Sequence, residues 1–134
     1  MSDGTQRNLE TMRRFYAEAA AGNRAAVDAM LADDLVISEG GSLPYGGQYH
    51  GRAALRALSA KVAAHYGGMK LDIHEICAGG DWVLTLLDIV PAGKDERVSL
   101  VEASRFDAEG RIAEIKPFYF DHDQVARLGV AGSR

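Results

Sequence analysis

Apolar and polar residues alternate along much of this chain, and the period of alternation changes part-way through. Leu9, Met12, Tyr16 and Ala19 recur at helical spacing, with Phe15 beside them, so the first segment is predicted to be an amphipathic helix. Gly22 suits its C-terminal stop and Asn23 the cap of a second, short helix, whose face is Ala26, Val27, Met30 and Leu31. Asp33-Asp34 then leads into a strand at Leu35. Positions 40–51 hold five glycines and Pro44 and are predicted to be a loop. A third helix begins at Arg52, with Leu55, Leu58, Val62 and Tyr66 on one stripe, and stops at Gly67-Gly68.

Beyond that point the period falls to two. Leu71, Ile73 and Ile76 lie in a strand whose slip of phase predicts a bulge. Trp82 to Val90 is apolar on both faces until Asp88. Val98 to Phe106 is a further strand, and Asp107-Ala-Glu-Gly110 a hairpin loop. The last strand spans Arg111 to Phe120, with Pro117 marking an edge or a bulge. Asp121 caps a final helical turn ending near Leu128, and 129–134 is predicted to be a flexible tail. Helices first and strands afterwards define an α+β fold, with three helices covering one face of a curved, mostly antiparallel sheet. The two-sided apolar strand from Trp82 also calls for cover on its second face, which predicts a homodimer.

Two glutamates break this pattern. Glu39 falls in phase with Leu35 and Ile37, and Glu102 in phase with Val98, Leu100 and Phe106. Strand side chains alternate between faces, so both carboxyls point to the apolar side. Burying a carboxylate is costly unless it is paired or protonated. Glu39 is thus a candidate general base, or a strand-end glutamate turned to solvent beside Gly40. Glu102 is a candidate neutral hydrogen-bond donor, or one half of an ion pair. Tyr45, Tyr49 and His50 sit in the glycine-rich loop, where they either close over a ligand or pack down on the core. Asp121 lines the pocket or simply caps its helix, and Trp82 belongs to the core, an interface or a ligand platform. His65 is placed at a helix end, His74 on an exposed or interfacial strand face, and Cys77 as a buried, inert thiol.

Composition narrows the class. At 134 residues, with 47% hydrophobic and 25% charged residues, the chain is sized for one domain, 1–134. A net charge of −4 with no basic stripe argues against nucleic acid. A lone cysteine, no apolar signal segment and no run near the length of a membrane span lead to the expectation of a cytoplasmic protein without membrane contact. No His-x-x-x-His, Cys-x-x-Cys or phosphate-loop spacing is present, so neither a metal nor any other cofactor is expected.

Three stretches carry a resemblance: Leu31-Ala-Asp-Asp-Leu35, Leu43-Pro-Tyr-Gly-Gly-Gln-Tyr-His-Gly-Arg52, and Glu102-Ala-Ser-Arg-Phe-Asp-Ala-Glu-Gly-Arg-Ile112 with Pro117-Phe-Tyr-Phe-Asp121. From about Leu9 to Leu128 the chain resembles the nuclear-transport-factor-2-like superfamily, of cystatin-like fold. That group includes ketosteroid isomerases, SnoaL-like polyketide cyclases and limonene epoxide hydrolase. The resemblance implies a cone-shaped sheet around a hydrophobic pocket. By likeness to ketosteroid isomerase, it assigns Glu39 to the general base and Glu102 to the protonated acid facing the oxyanion. The family's oxyanion tyrosine falls at Phe15, with Tyr16 next to it. The expected ligand is a small apolar carbonyl compound, contacted by Met12, Phe15, Tyr16, Tyr45, Tyr49, His50, Trp82, Tyr119 and Asp121. The expected chemistry is cofactor-free proton transfer, as in an isomerase or a polyketide cyclase. The competing expectation is a non-catalytic binder or assembly domain, favoured by Phe15 at the tyrosine position.

Overall fold

The computed structural model describes residues 1–130. Helix α1 (Asp3–Ala20) starts at Ser2, whose hydroxyl accepts from the Thr5 N–H, and buries Leu9, Met12 and Phe15. Helix α2 (Arg24–Ala29) is one and a half turns long and leads into strand β1 (Leu31–Glu39). Leu31, assigned to the second helix by its apolar spacing, already belongs to β1. A break in pairing between Leu31 and Val36 lets Asp33 and Asp34 turn out to water.

Positions 40–51 are not all loop. Gly47–His50 form a short edge strand, β2, antiparallel to the end of β1. It escapes a periodicity test because three of its four residues are exposed and it pairs on one side only. Before it, Gly46 passes so close to Gly40 that a Cβ would lie 2.3 Å from the Gly40 carbonyl oxygen. Glycine is therefore required there by close approach.

Helix α3 (Arg52–Tyr66) ends at Gly67 in the left-handed conformation, φ 69°. Then follow β3 (Met69–Gly79), β4 (Trp82–Pro91), β5 (Val98–Phe106), β6 (Ile112–Tyr119) and helix α4 (His122–Arg127), capped by Asp121. The expected bulge is present, as a register shift between Ile73 and Glu75. The six strands form one sheet in the order β2-β1-β6-β5-β4-β3, and every pair except β1–β6 is antiparallel. The parallel β1–β6 pair lets a strand from the helical half enter beside the last strand of the chain.

The core lies between the helices and the concave face of this sheet, with Met12, Leu35, Ile37, Leu58, Tyr66, Leu87 and Phe106 at its centre. His65 stands in the last turn of α3, as expected; it is buried there, and its Nε2 lies 2.6 Å from the Val125 carbonyl of α4. One further expectation is corrected. Cys77 is exposed, because β3 is the far edge strand. The Val130 N–H donates to the His65 carbonyl at 2.8 Å, so the predicted tail is tied down as far as this residue. The remainder of that tail, 131–134, lies outside the described residues. Within them, no helix is long and apolar enough to cross a membrane.

Candidate functional site

Strand register places the two glutamates. Glu102 pairs with Pro117 across β5–β6, and Ile37 pairs with Ile115 across β1–β6. Two residues further on, Glu39 stands beside Pro117. The two acids therefore flank one proline on the same face of the sheet. Their strands are two apart, roughly 9–10 Å at the backbone. Thr85 continues the row on β4, opposite Glu102. Pro117 has no N–H and presents a flat apolar ring, so the floor between the carboxyls is apolar.

A cavity of about 140 Å³ opens above this floor. Ile37, Leu87, Leu100 and Ile115 line it from the sheet, Leu55, Leu58, Ser59 and Val62 from α3, and Phe15, Tyr16 and Ala19 from α1. Both Phe15 and Tyr16 reach it, their rings meeting edge to face at 5.3 Å. Sequence spacing set them about 100° apart on the helix. That angle excludes Tyr16 only if the cavity lies to one side of α1, whereas the cavity occupies the wedge beneath the helix end and receives both rings.

The hydroxyl of Tyr16 donates to Glu102 Oε1 at 2.6 Å. A tyrosine hydroxyl therefore does reach the site, from the position next to Phe15, and is bonded to Glu102. Among the described residues no cation pairs with Glu102; its partner is a phenol. Burial drives the Glu102 pKa upward, opposed by the hydrogen bond from Tyr16. In its protonated form, Oε1 is occupied by Tyr16 and the acid proton sits on Oε2, oriented as a donor. Glu39 is 7% exposed, and its Oε1 has no hydrogen-bond partner among the described residues. Burial, and after it the charge of Glu102, pushes its pKa up to about 8. Burial thus disfavours the charged form of both acids, and an ionised Glu102 further opposes ionisation of Glu39.

The remaining candidates divide. Tyr119 lines the cavity. Tyr45 is buried behind it and donates to the Tyr119 hydroxyl at 2.8 Å. Tyr49 is half-buried, with its hydroxyl on the Tyr45 carbonyl and its ring beneath the Lys61 ammonium. Met12 is fully buried in the solid core. His50 is exposed on the edge strand, and Asp121 is exposed, accepting from the Gln124 N–H as a helix cap. Trp82 is on the opposite face of the sheet: Val83, Thr85 and Leu87 point inward along β4, so Trp82, Leu84 and Leu86 point outward. His50, Trp82 and Asp121 are thus removed from the cavity by register and capping.

Sequence reasoning missed Ser104, Ser59 and the inward Thr85. Ser104 and Thr85 carry the same signal as the glutamates, being polar residues in phase with an apolar strand face. Among the described residues one group has metal-ligand proximity, Asp72, His74 and Asp88, within 4.8 Å of one another. It lies away from the cavity, and the Arg97 guanidinium already bonds both aspartates, filling a cation's place.

The SnoaL-like domain model matches residues 12–115 of the chain. No protein of curated function matches it in sequence. A nuclear-transport-factor-2-like protein of unknown function from Burkholderia pseudomallei superposes with a TM-score of 0.80 at 26% identity, covering 98% of this chain and 100% of its own. Bal32a, from a soil-derived mobile gene cassette, gives 0.81 at 20% identity, covering 94% and 98%. TerC, co-crystallised with polyporic acid, gives 0.76 at 20% identity, covering 91% and 97%. At 20% identity these last two likenesses establish the fold alone.

Proposed function

The chain belongs to the SnoaL-like domain family, and from that premise we propose that it catalyses cofactor-free proton transfer next to a carbonyl group. The observation that carries this reading is the pair of acids flanking Pro117 on an apolar floor, one without a partner and the other oriented by Tyr16. Glu39, as carboxylate, takes a proton from the carbon next to the carbonyl. The electron pair of that C–H bond moves onto the oxygen as an enolate, which the Glu102 acid proton and the cavity's low dielectric stabilise. Glu39 then returns the proton to a conjugated carbon, so the net change is an isomerisation. In a cyclase variant of the same chemistry, the enolate carbon attacks a second carbonyl of the same molecule. Phe15, Tyr16 and the aliphatic walls exclude the water that would otherwise solvate Glu39. The binder alternative draws its support from Phe15; the hydrogen bond from Tyr16 that orients Glu102 favours the catalytic reading.

The test is exchange of α-protons for deuterium in small cyclic ketones, followed by proton NMR. Glu39→Gln should abolish the protein-catalysed rate while the variant still binds the ketone. Unchanged exchange in that variant would sink the assignment. The outer face supports a second proposal, that a second copy of the chain covers it. Leu86, Val101 and Phe118 are register neighbours across β4, β5 and β6, and Leu86 and Phe118 are exposed.

A further inference from the structure

Three tyrosine hydroxyls from distant parts of the chain meet behind the cavity. Tyr45, in the glycine-rich segment, donates to the Tyr119 hydroxyl at 2.8 Å and lies 3.2 Å from the Tyr66 hydroxyl at the end of α3. A phenol carries one proton. With Tyr45's proton committed to Tyr119, Tyr66 must be the donor in its bond to Tyr45. The chain of donation therefore runs from Tyr66 through Tyr45 to Tyr119, where it ends. The Tyr119 proton has no acceptor among the described residues, and Tyr119 lines the cavity. Each donation polarises the next hydroxyl in such a chain, so the terminal one is a strengthened donor.

The place of this donor is set by register. Tyr119 pairs with Leu100, one inward position along from the Glu102–Pro117 pair. It stands diagonal to Glu102 on the concave face, a separation of roughly 7–8 Å. Burial, and then the nearby Glu39, raise its pKa, so it remains a neutral donor. Two polar groups with donor capacity thus belong to the lining of one cavity, the Glu102 carboxyl and the Tyr119 hydroxyl. Its volume of about 140 Å³ is close to that of an apolar cavity of about 150 Å³ that accepts one benzene ring.

Resting on the proton-transfer reading above, we infer that the part of the substrate held in the cavity is a single ring bearing two oxygen functions, one bound by Glu102 and the other by Tyr119. A ring diketone or a hydroxy-ketone meets this description; a ring with one carbonyl and no second oxygen leaves Tyr119 unanswered. An unanswered donor in the cavity wall is a source of selectivity, because a ligand lacking its partner forfeits the bond and still desolvates the hydroxyl.

Equilibrium binding of unreactive ring probes tests this without turnover. Phenol, catechol, resorcinol and hydroquinone are titrated into wild type, Tyr119→Phe and Tyr45→Phe, with calorimetric readout. At least one dihydroxybenzene should bind wild type about fivefold to tenfold tighter than phenol. Tyr119→Phe should erase that advantage, bringing the diols to the affinity of phenol for the same variant, and Tyr45→Phe should reduce it in part. Equal binding of phenol and all three diols by wild type overturns the inference, as does an advantage that survives Tyr119→Phe. The wild-type comparison decides the matter even if a variant misfolds. Deuterium exchange that persists while the diol advantage is absent overturns the second oxygen alone. A diol advantage without Glu39-dependent exchange overturns the proton transfer alone. A wild type that binds none of the four probes overturns the ring-sized pocket.

Discussion

Replacing Glu39 by Gln should stabilise the protein, and by an amount that depends on pH in a defined way. Glu39 is buried, its Oε1 is unpartnered, and its pKa rises from an ordinary 4.5 to about 8 on folding. A carboxyl whose folded pKa is raised binds its proton more tightly in the native state. It costs nothing below pH 4.5, where it is protonated in both states, and its cost grows as pH rises towards 8. Each pH unit in that window is worth about 1.36 kcal/mol. At pH 7 the wild type therefore gives up about 3 kcal/mol that Gln, nearly the same shape and uncharged, does not. Above pH 8 the gap levels off near 5 kcal/mol, an upper figure because water entering the cavity solvates part of the charge. The assay is urea unfolding of both proteins at pH 5, 7 and 9. The variant's midpoint should match wild type to within a few tenths of a molar at pH 5 and exceed it increasingly at pH 7 and 9. A gap that stays flat with pH would mean that Glu39 ionises freely, and with that the poised base is lost.

Three further outcomes are expected. Tyr16→Phe removes the donor on Glu102 Oε1; carbon-13 NMR should show the Glu102 titration moving upward, and stability should fall by about 1–2 kcal/mol. Gly46→Ala pushes a methyl against the Gly40 carbonyl at 2.3 Å, so the glycine-rich turn must open, lowering the melting temperature by several degrees, for a cost of roughly 2 kcal/mol. Leu86→Arg places a charge in the exposed Leu86–Val101–Phe118 stripe; sedimentation velocity should then report a monomer where wild type sediments as a dimer, and an unchanged profile would sink the pairing of outer faces.

The anomaly of Glu39 and Glu102 was readable in the sequence because strand phase is a local property: each acid sits two residues from an apolar neighbour on its own strand. The span of β5 was readable for the same reason. Other features depend on how separate elements meet. Trp82 stands in a strand apolar on both faces, so phase alone could not say which face turns outward. The reach of Tyr16 depends on where the cavity lies under α1, and Tyr45, Tyr66 and Tyr119 come together only through the docking of three elements. The edge strand β2 carries no apolar period at all, since its partner β1 covers one side and water the other.

The parallel pairing of β1 with β6 also has a kinetic consequence. Ile37 meets Ile115 only after the chain closes a loop of about 80 residues, whereas β3 to β6 zip together through short hairpins. Long-range closure is the slow step of such a topology. Glu102 can find its place in the early meander, but Glu39 arrives with the last strand to dock, carrying an acid that must shed its water as it enters. Bringing the two acids together and completing the fold are thus one event. Refolding should therefore slow as rising pH adds the charge of Glu39 to the final docking step.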